Sequence, residues 1–300
     1  MVTFEYLIGK TDLRGRPYTL TIDPNNFCNL NCKFCPTGQG NSFGRKRQNM
    51  SFVDFKKVFD QFKEYIFILH LYIWGEPFLN KDIYRMISYA RTNNVFVSVS
   101  TNLNIENSEI DNIIDSGLDH LIIGLDGTDQ ETYKRYRVGG DFDLVISNIE
   151  KLVDKKRKKA VNHPLIQLQF LIFNHNKHKI FEMKELARNL GVDQLDFLKS
   201  SWHKKKHLVD LKFFEERDDL KIHRCVYPWV KALIFSDGGF SVCCYSPNKT
   251  KDIGNIYERS FKRLWNSPGL INIRKKQVTG VGKQTVCDLC QRWEQSSSKQ

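Results

Sequence analysis

The 300-residue chain has no run of about twenty apolar residues, the length a helical membrane span requires. Its longest strongly apolar stretch, residues 65–74, is interrupted by His70, and residues 1–10 carry no apolar signal region. Internal repeats and low-complexity tracts are missing too. A hydrophobic fraction of 41% with 12% aromatics excludes disordered, collagenous and coiled-coil classes. Acidic excess is absent: 46 Lys+Arg against 34 Asp+Glu leave +12. Between Cys35 and Cys225 there is no cysteine, so the 8 cysteines form two groups. A secreted disulfide framework spreads cysteines through a short exported chain. Grouped thiols in a chain with no export signal point instead to metal in a reducing, cytoplasmic setting, with no membrane partner.

The basic excess invites nucleic acid, an acidic surface or a phosphorylated substrate. Its runs are local, however: Lys155-Lys156-Arg157-Lys158-Lys159 and Lys204-Lys205-Lys206. The first ends an expected helix, where the dipole favours cations. With no aromatic-interleaved basic strand beside them, both runs read as solvated helix ends and loops.

From residue 18 to about 198, short β-rich runs alternate with amphipathic stretches. Strands are expected at 18–23, 66–74, 95–100, 120–125, 165–173 and 194–198. Helices are expected at 51–65 with Ser51 as N-cap, and at 81–93, 107–116, 143–156 and 178–189, the last closed by Gly191. Six β/α periods of about 30 residues match right-handed crossovers in a parallel sheet. A full eight-fold barrel takes about 250 residues, so the expected fold is α/β, a partial (β/α)6 barrel. The expected division is an N-terminal extension (1–17), the barrel (18–200), a charged linker (201–222), a small α+β unit (223–295) and a polar tail (296–300). The small unit holds a hairpin around Asp237-Gly238-Gly239 and a helix at 260–266. At under 80 residues it is small enough to want a metal staple.

Cys28, Cys32 and Cys35 follow the first strand, at the end of the barrel where catalytic loops lie. Three thiolates can each hold one iron of a [4Fe–4S] cube and leave the fourth iron open. A closed zinc site needs four ligands, and no fourth Cys or His occurs in the next thirty residues. The Cys-x3-Cys-x2-Cys loop, with Phe34 before its third cysteine, resembles the radical S-adenosylmethionine (SAM) superfamily. Trp74-Gly75-Glu76-Pro77 at the end of the second strand resembles that family's GGEP loop, which receives the methionyl amine of SAM; Trp74 replaces its first glycine. Thr101 and Asn102 end the third strand, where the family touches the ribose or methionyl part. The stretch Leu125-Asp126-Gly127 to Arg137-Val138-Gly139-Gly140 resembles the segment carrying a carboxylate-binding arginine, here Arg137, with Arg135 as second choice. Gly124 stands where a ribose-binding serine often precedes this stretch. Alone, each of these motifs would be turn or cap chemistry. Their succession at strand ends carries the resemblance.

The second cysteine group, Cys225-x17-Cys243-Cys244 then Cys287-x2-Cys290, resembles the shortened SPASM, or twitch, domain that follows many such barrels. Pro228-Trp229, Gly254-Asn255-Ile256 and Leu264-Trp265-Asn266 match as well. The resemblance implies an auxiliary [4Fe–4S] cluster on Cys225, Cys243, Cys287 and Cys290; a zinc ribbon is the alternative. The x17 spacing selects Cys243. Successive residues of a strand face opposite ways, so Cys244 points elsewhere, as a buried inert thiol or toward substrate as a hydrogen-atom donor.

The implied activity is reductive cleavage of SAM to a 5′-deoxyadenosyl radical, which takes hydrogen from a substrate carbon. Dehydrogenation or epimerisation follows, with the auxiliary cluster as electron acceptor or donor and a flavodoxin- or ferredoxin-type reductant. Only about 17 residues precede the first strand, too few for a leader-peptide-binding module. A sugar, aminocyclitol or polyol, phosphorylated or nucleotide-linked, is therefore expected as substrate, with a ribosomal peptide second. A non-catalytic metal protein that binds RNA is the alternative of a different class.

Overall fold

The computed structural model describes residues 1–199, 225–244 and 247–279. The expected linker, the tail, Cys287 and Cys290 lie outside the described residues. Helix α1 (Val2–Leu7) precedes strand β1 (Thr19–Ile22). Five helix–strand steps follow: α2 (Phe52–Phe59) and β2 (Ile68–His70); α3 (Ile83–Thr92) and β3 (Phe96–Thr101); α4 (Ile110–Asp115) and β4 (His120–Gly124). The last two are α5 (Gln130–Lys134), α6 (Phe142–Lys159) and β5 (Leu165–Ile172), then α7 (Ile180–Leu190) and β6 (Gln194–Lys199). After these come α8 (Tyr227–Val230), β7 (Lys231–Ile234), β8 (Gly239–Ser241), β9 (Gly254–Asn255), α9 (Phe261–Trp265) and α10 (Pro268–Thr279).

The nine strands among the described residues form one sheet in the order β6-β5-β4-β3-β2-β1-β7-β8-β9. Pairing is parallel from β6 to β7 and antiparallel from β7 to β9. The six sequential parallel strands are the expected partial barrel. Pleat alternation divides their side chains. Leu20, Ile22, Leu69, Val97, Val99, Leu121, Ile123, Ile166 and Leu168 pack under the helices, on Phe55, Phe59, Met86, Ile87, Ile149, Leu152 and Met183. The opposite face carries the register row Thr21, His70, Ser98 and His120. Among the described residues no helix is long and apolar enough to cross a membrane.

Local chemistry explains where the elements differ from expectation. Ser51 caps α2 by accepting from the Asp54 N–H, but the helix ends at Phe59 rather than residue 65. The expected helix at 107–116 starts as a 3-10 turn, Asn107–Glu109. Helix α6 runs on to Lys159 and stops at Ala160, which adopts φ +50. Its basic end is ion-paired to neighbouring elements: Lys155 to Asp111 (2.5 Å), Lys156 to Asp193 (2.7 Å) and Lys159 to Asp115. That arrangement leaves the run as a salt-bridged helix end rather than a phosphate-binding face. Helices α1, α5, α8 and α10 were not expected; the first three are too short to show a period.

The described C-terminal residues extend the barrel's sheet and core. Strand β7 lies parallel to β1 in the register Thr19–Lys231 to Ile22–Ile234. The β7–β8 hairpin turns at Gly238, φ +80, a left-handed conformation that glycine adopts without Cβ strain. Trp229, Phe240, Phe261, Leu264 and Trp265 belong to the same hydrophobic cluster as the barrel helices. Among the described residues, the apolar side chains of the small unit thus share the barrel's core. The N-terminal extension clasps that unit. The indole N–H groups of Trp229 and Trp265 donate to the carbonyls of Lys10 (2.7 Å) and Gly15 (2.9 Å), and Asn266 pairs with both backbone groups of Leu13.

Candidate functional site

The three N-terminal cysteines lie in the loop after β1, at the carboxyl end of the parallel strands. Backbone bonds tie this loop to residues 136–138: the N–H groups of Asn31 and Lys33 donate to the carbonyls of Val138 (2.8 Å) and Tyr136 (3.2 Å). Phe34 stacks on Tyr136 (6.0 Å between ring centroids) and Phe173 (5.6 Å). Cys28, Cys32 and Cys35 pack in that small apolar cluster. Burial, with Glu76 and the other two cysteines nearby, holds the Cys28 thiol protonated and pushes it up to about 12. Burial also raises Cys32, against the pull of the Arg137 guanidinium. A bound cation reverses this logic, because a coordinating thiol is deprotonated outright. Among the described residues no three His, Cys, Asp or Glu side chains converge as a cage for a single ion. The donor set, three soft and mutually interacting thiols beside a cation, fits an iron–sulfur cluster.

The 74–77 loop is sewn to the β1 loop. Asn25 donates from Nδ2 to the Glu76 carbonyl (2.7 Å), and the Glu76 N–H donates to the Phe27 carbonyl (2.8 Å). Gly75 runs so close that a Cβ there would lie 2.0 Å from Asn25 Oδ1. Glu76 is only 3% exposed, and burial raises its pKa. Its carboxylate accepts from Thr101 Oγ1 (2.6 Å) and the Asn102 N–H (2.8 Å). The Asn102 side chain then donates to Cys28 Sγ (3.5 Å) and Asn29 Oδ1 (3.0 Å). Thus Glu76, Thr101, Asn102 and Cys28, expected separately from the sequence, form one connected network. Trp74 packs on Phe43 (5.1 Å).

Arg137 reaches the same centre from the segment before α6. Its Nε donates to Asp126 Oδ2 at 2.6 Å, and the Asp126 side chain is fully buried. Asp126 also accepts from the Leu171 N–H (2.6 Å). Arg135, the second choice, is exposed and faces Glu131 on its own helix face (3.5 Å). The glycine at 124 has a local cause: a Cβ there would sit 2.0 Å from Arg137 Nη2. The space a serine would take is filled by the guanidinium.

The second cysteine group is partly described. Cys225, whose N–H donates to Gln277 Oε1 (3.0 Å), Cys243 and Cys244 are each half-buried. Strand β8 ends at Ser241, not at 243, so alternation along a strand does not apply to Cys243 and Cys244. The structure separates them differently: Cys243 packs against the main hydrophobic cluster, whereas Cys244 lies within electrostatic reach of Tyr72. Tyr72 belongs to a polar floor on the concave face that the sequence reading missed. Its phenol hydrogen-bonds Ser98, and Ser98 Oγ is 3.2 Å from His120 Nδ1. His120 Nε2 is 2.7 Å from Gln167 Oε1, and Gln167 donates to Asp196 (2.7 Å). Because Gln167 gives its N–H to Asp196, its carbonyl oxygen faces His120 and selects the Nε2–H tautomer, leaving Nδ1 to accept from Ser98. These residues sit on one face of five adjacent strands or their ends, from β2 to β6. Only the parallel register brings them together.

The sequence model of the Radical SAM superfamily matches residues 22–190, and that of the SPASM iron–sulfur cluster-binding domain matches residues 225–292. A probable GTP 3′,8-cyclase of Methanococcus maripaludis is 26% identical over 205 residues, covering 67% of this chain and 65% of that protein. One of Saccharolobus islandicus is 27% identical over 221 residues, covering 70% and 65%. The chain thus spans about 65% of the length of these curated relatives. Among solved structures, Streptococcus suis SuiB bound to S-adenosylmethionine superposes with a TM-score of 0.71 at 16% identity, over 96% of this chain and 74% of SuiB. BtrN in complex with AdoMet and 2-DOIA gives 0.58 at 14% identity, over 93% of each chain. These two likenesses are of fold.

Proposed function

The chain belongs to the radical SAM superfamily and carries a SPASM iron–sulfur domain, and from that membership we propose that it acts on a carbon–hydrogen bond of a sugar, aminocyclitol or polyol, phosphorylated or nucleotide-linked. The observation that carries this reading is Asn102, whose side chain donates to Cys28 of the cysteine loop and whose backbone N–H donates to the carboxylate of Glu76. One residue thereby sets the expected cluster ligands against the expected SAM loop. When bound, the cluster and SAM supply the reductive cleavage that yields the 5′-deoxyadenosyl radical.

Every other role falls to this chain's residues. Cys28, Cys32 and Cys35 hold the first cluster; Cys225, Cys243, Cys287 and Cys290 hold the auxiliary one. The loop from Trp74 to Pro77 takes the methionyl amine, with Glu76 braced by Thr101 and Asn102. Arg137, oriented by Asp126, meets the carboxylate. Phe34, Tyr136 and Phe173 keep water from the cysteine loop. Cys244, beside Tyr72, is the hydrogen donor if the outcome is epimerisation; if it is dehydrogenation, the auxiliary site accepts the electron. The +12 charge and the relatives named for a GTP reaction support a phosphorylated sugar substrate. A cytoplasmic flavodoxin- or ferredoxin-type protein supplies the electron.

Anaerobic, iron-reconstituted protein tests the reading. SAM and dithionite should give 5′-deoxyadenosine, and Cys28→Ala, Cys32→Ala and Cys35→Ala should each abolish it. Wild-type protein that forms none, or binds a single zinc on these thiols, overturns the reading. Turnover in deuterated water separates the outcomes, since a thiol donor places deuterium at carbon and dehydrogenation leaves a carbonyl. A peptide that turns over where sugar phosphates do not would replace the substrate class.

A further inference from the structure

We propose that Asp23 is a positioning residue for SAM: its buried carboxylate draws the Trp74 and Gly75 N–H groups inward and so turns the loop's carbonyls toward the methionyl amine. This rests on the reading of the 74–77 loop given above. Asp23 follows the last residue of β1 and is 1% exposed. Its Oδ1 accepts from the Trp74 N–H at 3.3 Å, and its carboxylate also accepts from the Gly75 N–H. The next N–H, of Glu76, is taken by the Phe27 carbonyl at 2.8 Å. Three successive N–H groups therefore point at the β1 loop.

In a trans peptide the N–H and the preceding carbonyl point in opposite directions. With these three N–H groups drawn toward β1, the carbonyls of Ile73, Trp74 and Gly75 are directed away from it. A row of carbonyl oxygens is an acceptor surface for an ammonium group, which has only donors. Asn25 locks the other end by donating to the Glu76 carbonyl, and the absence of a Cβ at Gly75 lets the two loops meet.

The carboxylate that does this is held near the edge of ionisation. Burial pushes Asp23 up to about 7. The Trp74 and Gly75 amides and the Arg45 guanidinium favour its charged form, and Asp237 on the hairpin opposes it. Arg45 itself is spent on Asp237 (2.6 Å) and Asp252 (2.5 Å). Charged, Asp23 accepts both amides strongly; protonated, it accepts them weakly. Affinity for the amine should therefore fall as pH drops through 7.

The test compares two ligands on the anaerobic holoenzyme: SAM, and 5′-methylthioadenosine, which lacks the amino-acid part. Asp23→Asn should weaken SAM about 5–20-fold, the size of an ordinary coupling between sites, and leave methylthioadenosine binding unchanged. Wild-type affinity for SAM should decline from pH 8 to pH 6, and this decline should vanish in Asp23→Asn. Arg45→Met, which touches no part of the loop, should move the midpoint of the decline upward. Asp23→Asn that binds SAM as wild type does, or loses both ligands equally, overturns the proposal. A wild-type protein that binds the two ligands equally well overturns the reading of the loop, and the proposal with it.

Discussion

Replacing Gly124 by alanine isolates one steric coupling at the centre of the site. The new Cβ would lie 2.0 Å from Nη2, 2.8 Å from Cζ and 3.2 Å from Nη1 of Arg137. A guanidinium on a free side chain would swing away at little cost. This one is anchored by a 2.6 Å bond to an Asp126 whose side chain is 0% exposed, with the arginine side chain itself only 14% exposed. Moving it leaves the carboxylate buried without its cation. Breaking a buried pair costs about 3–5 kcal/mol, so Gly124→Ala should lose about that much stability. At about 2–4 °C per kcal/mol the melting temperature falls by roughly 6–20 °C. The assay is a double-mutant cycle read by urea or thermal unfolding of the protein. In an Arg137→Ala background the alanine at 124 has nothing to strike, and its effect should shrink to under about 1 kcal/mol, a coupling of the size expected for residues in contact. An equal loss in both backgrounds, or a Gly124→Ala protein as stable as wild type, would refute the reasoning.

The clamp between the segment after the cysteine loop and the hairpin makes a second prediction. Arg45 pairs with Asp237 and Asp252 and lies over the Phe235 ring at 3.7 Å. Arg45→Met should destabilise by about 3–5 kcal/mol through the two carboxylates left buried. The sign with pH follows from Asp252, which burial raises to about 6 from an ordinary 3.8. A raised carboxyl supports folding fully below about pH 4 and loses that support as pH climbs through 6. Without the cation this loss steepens, so urea midpoints of variant and wild type should diverge from pH 5 to pH 8; a constant gap would sink the account. Gly75→Ala sets a Cβ 2.0 Å from Asn25 Oδ1 and 2.3 Å from the Asn25 carbonyl oxygen. It should cost about 1–3 kcal/mol in overall stability by overpacking, and equilibrium dialysis should show SAM affinity falling at least as far as in Asp23→Asn.

Much of the barrel was legible because its signals are local. Short β-rich runs between amphipathic stretches placed the strands, and Gly191 at φ +70 marked the end of α7 as expected. The cysteine loop and the Gly75-Glu76-Pro77 turn are contiguous in sequence, so their chemistry could be read in place. Cys243 and Cys244 show where that reading weakens. Treating them as opposed residues of one strand requires the strand to continue, and β8 stops at Ser241 once its pairing with β7 runs out. Nor did residues 1–17 announce their role. Lys10, Leu13 and Gly15 act through backbone carbonyls, which no side-chain pattern reports.

Composition, spacing and motif order by themselves determined the class of this protein: grouped thiols, six β/α periods and the family's loops at successive strand ends. Those features depend on neighbours within a few residues. Tertiary structure alone decided that Asp23 lies under the 74–77 loop and that Gly124 makes room for Arg137. It also linked Tyr72, Ser98, His120, Gln167 and Asp196 across the concave face. Such contacts join residues many positions apart, and their geometry is set by strand register and burial, which no short stretch of sequence contains.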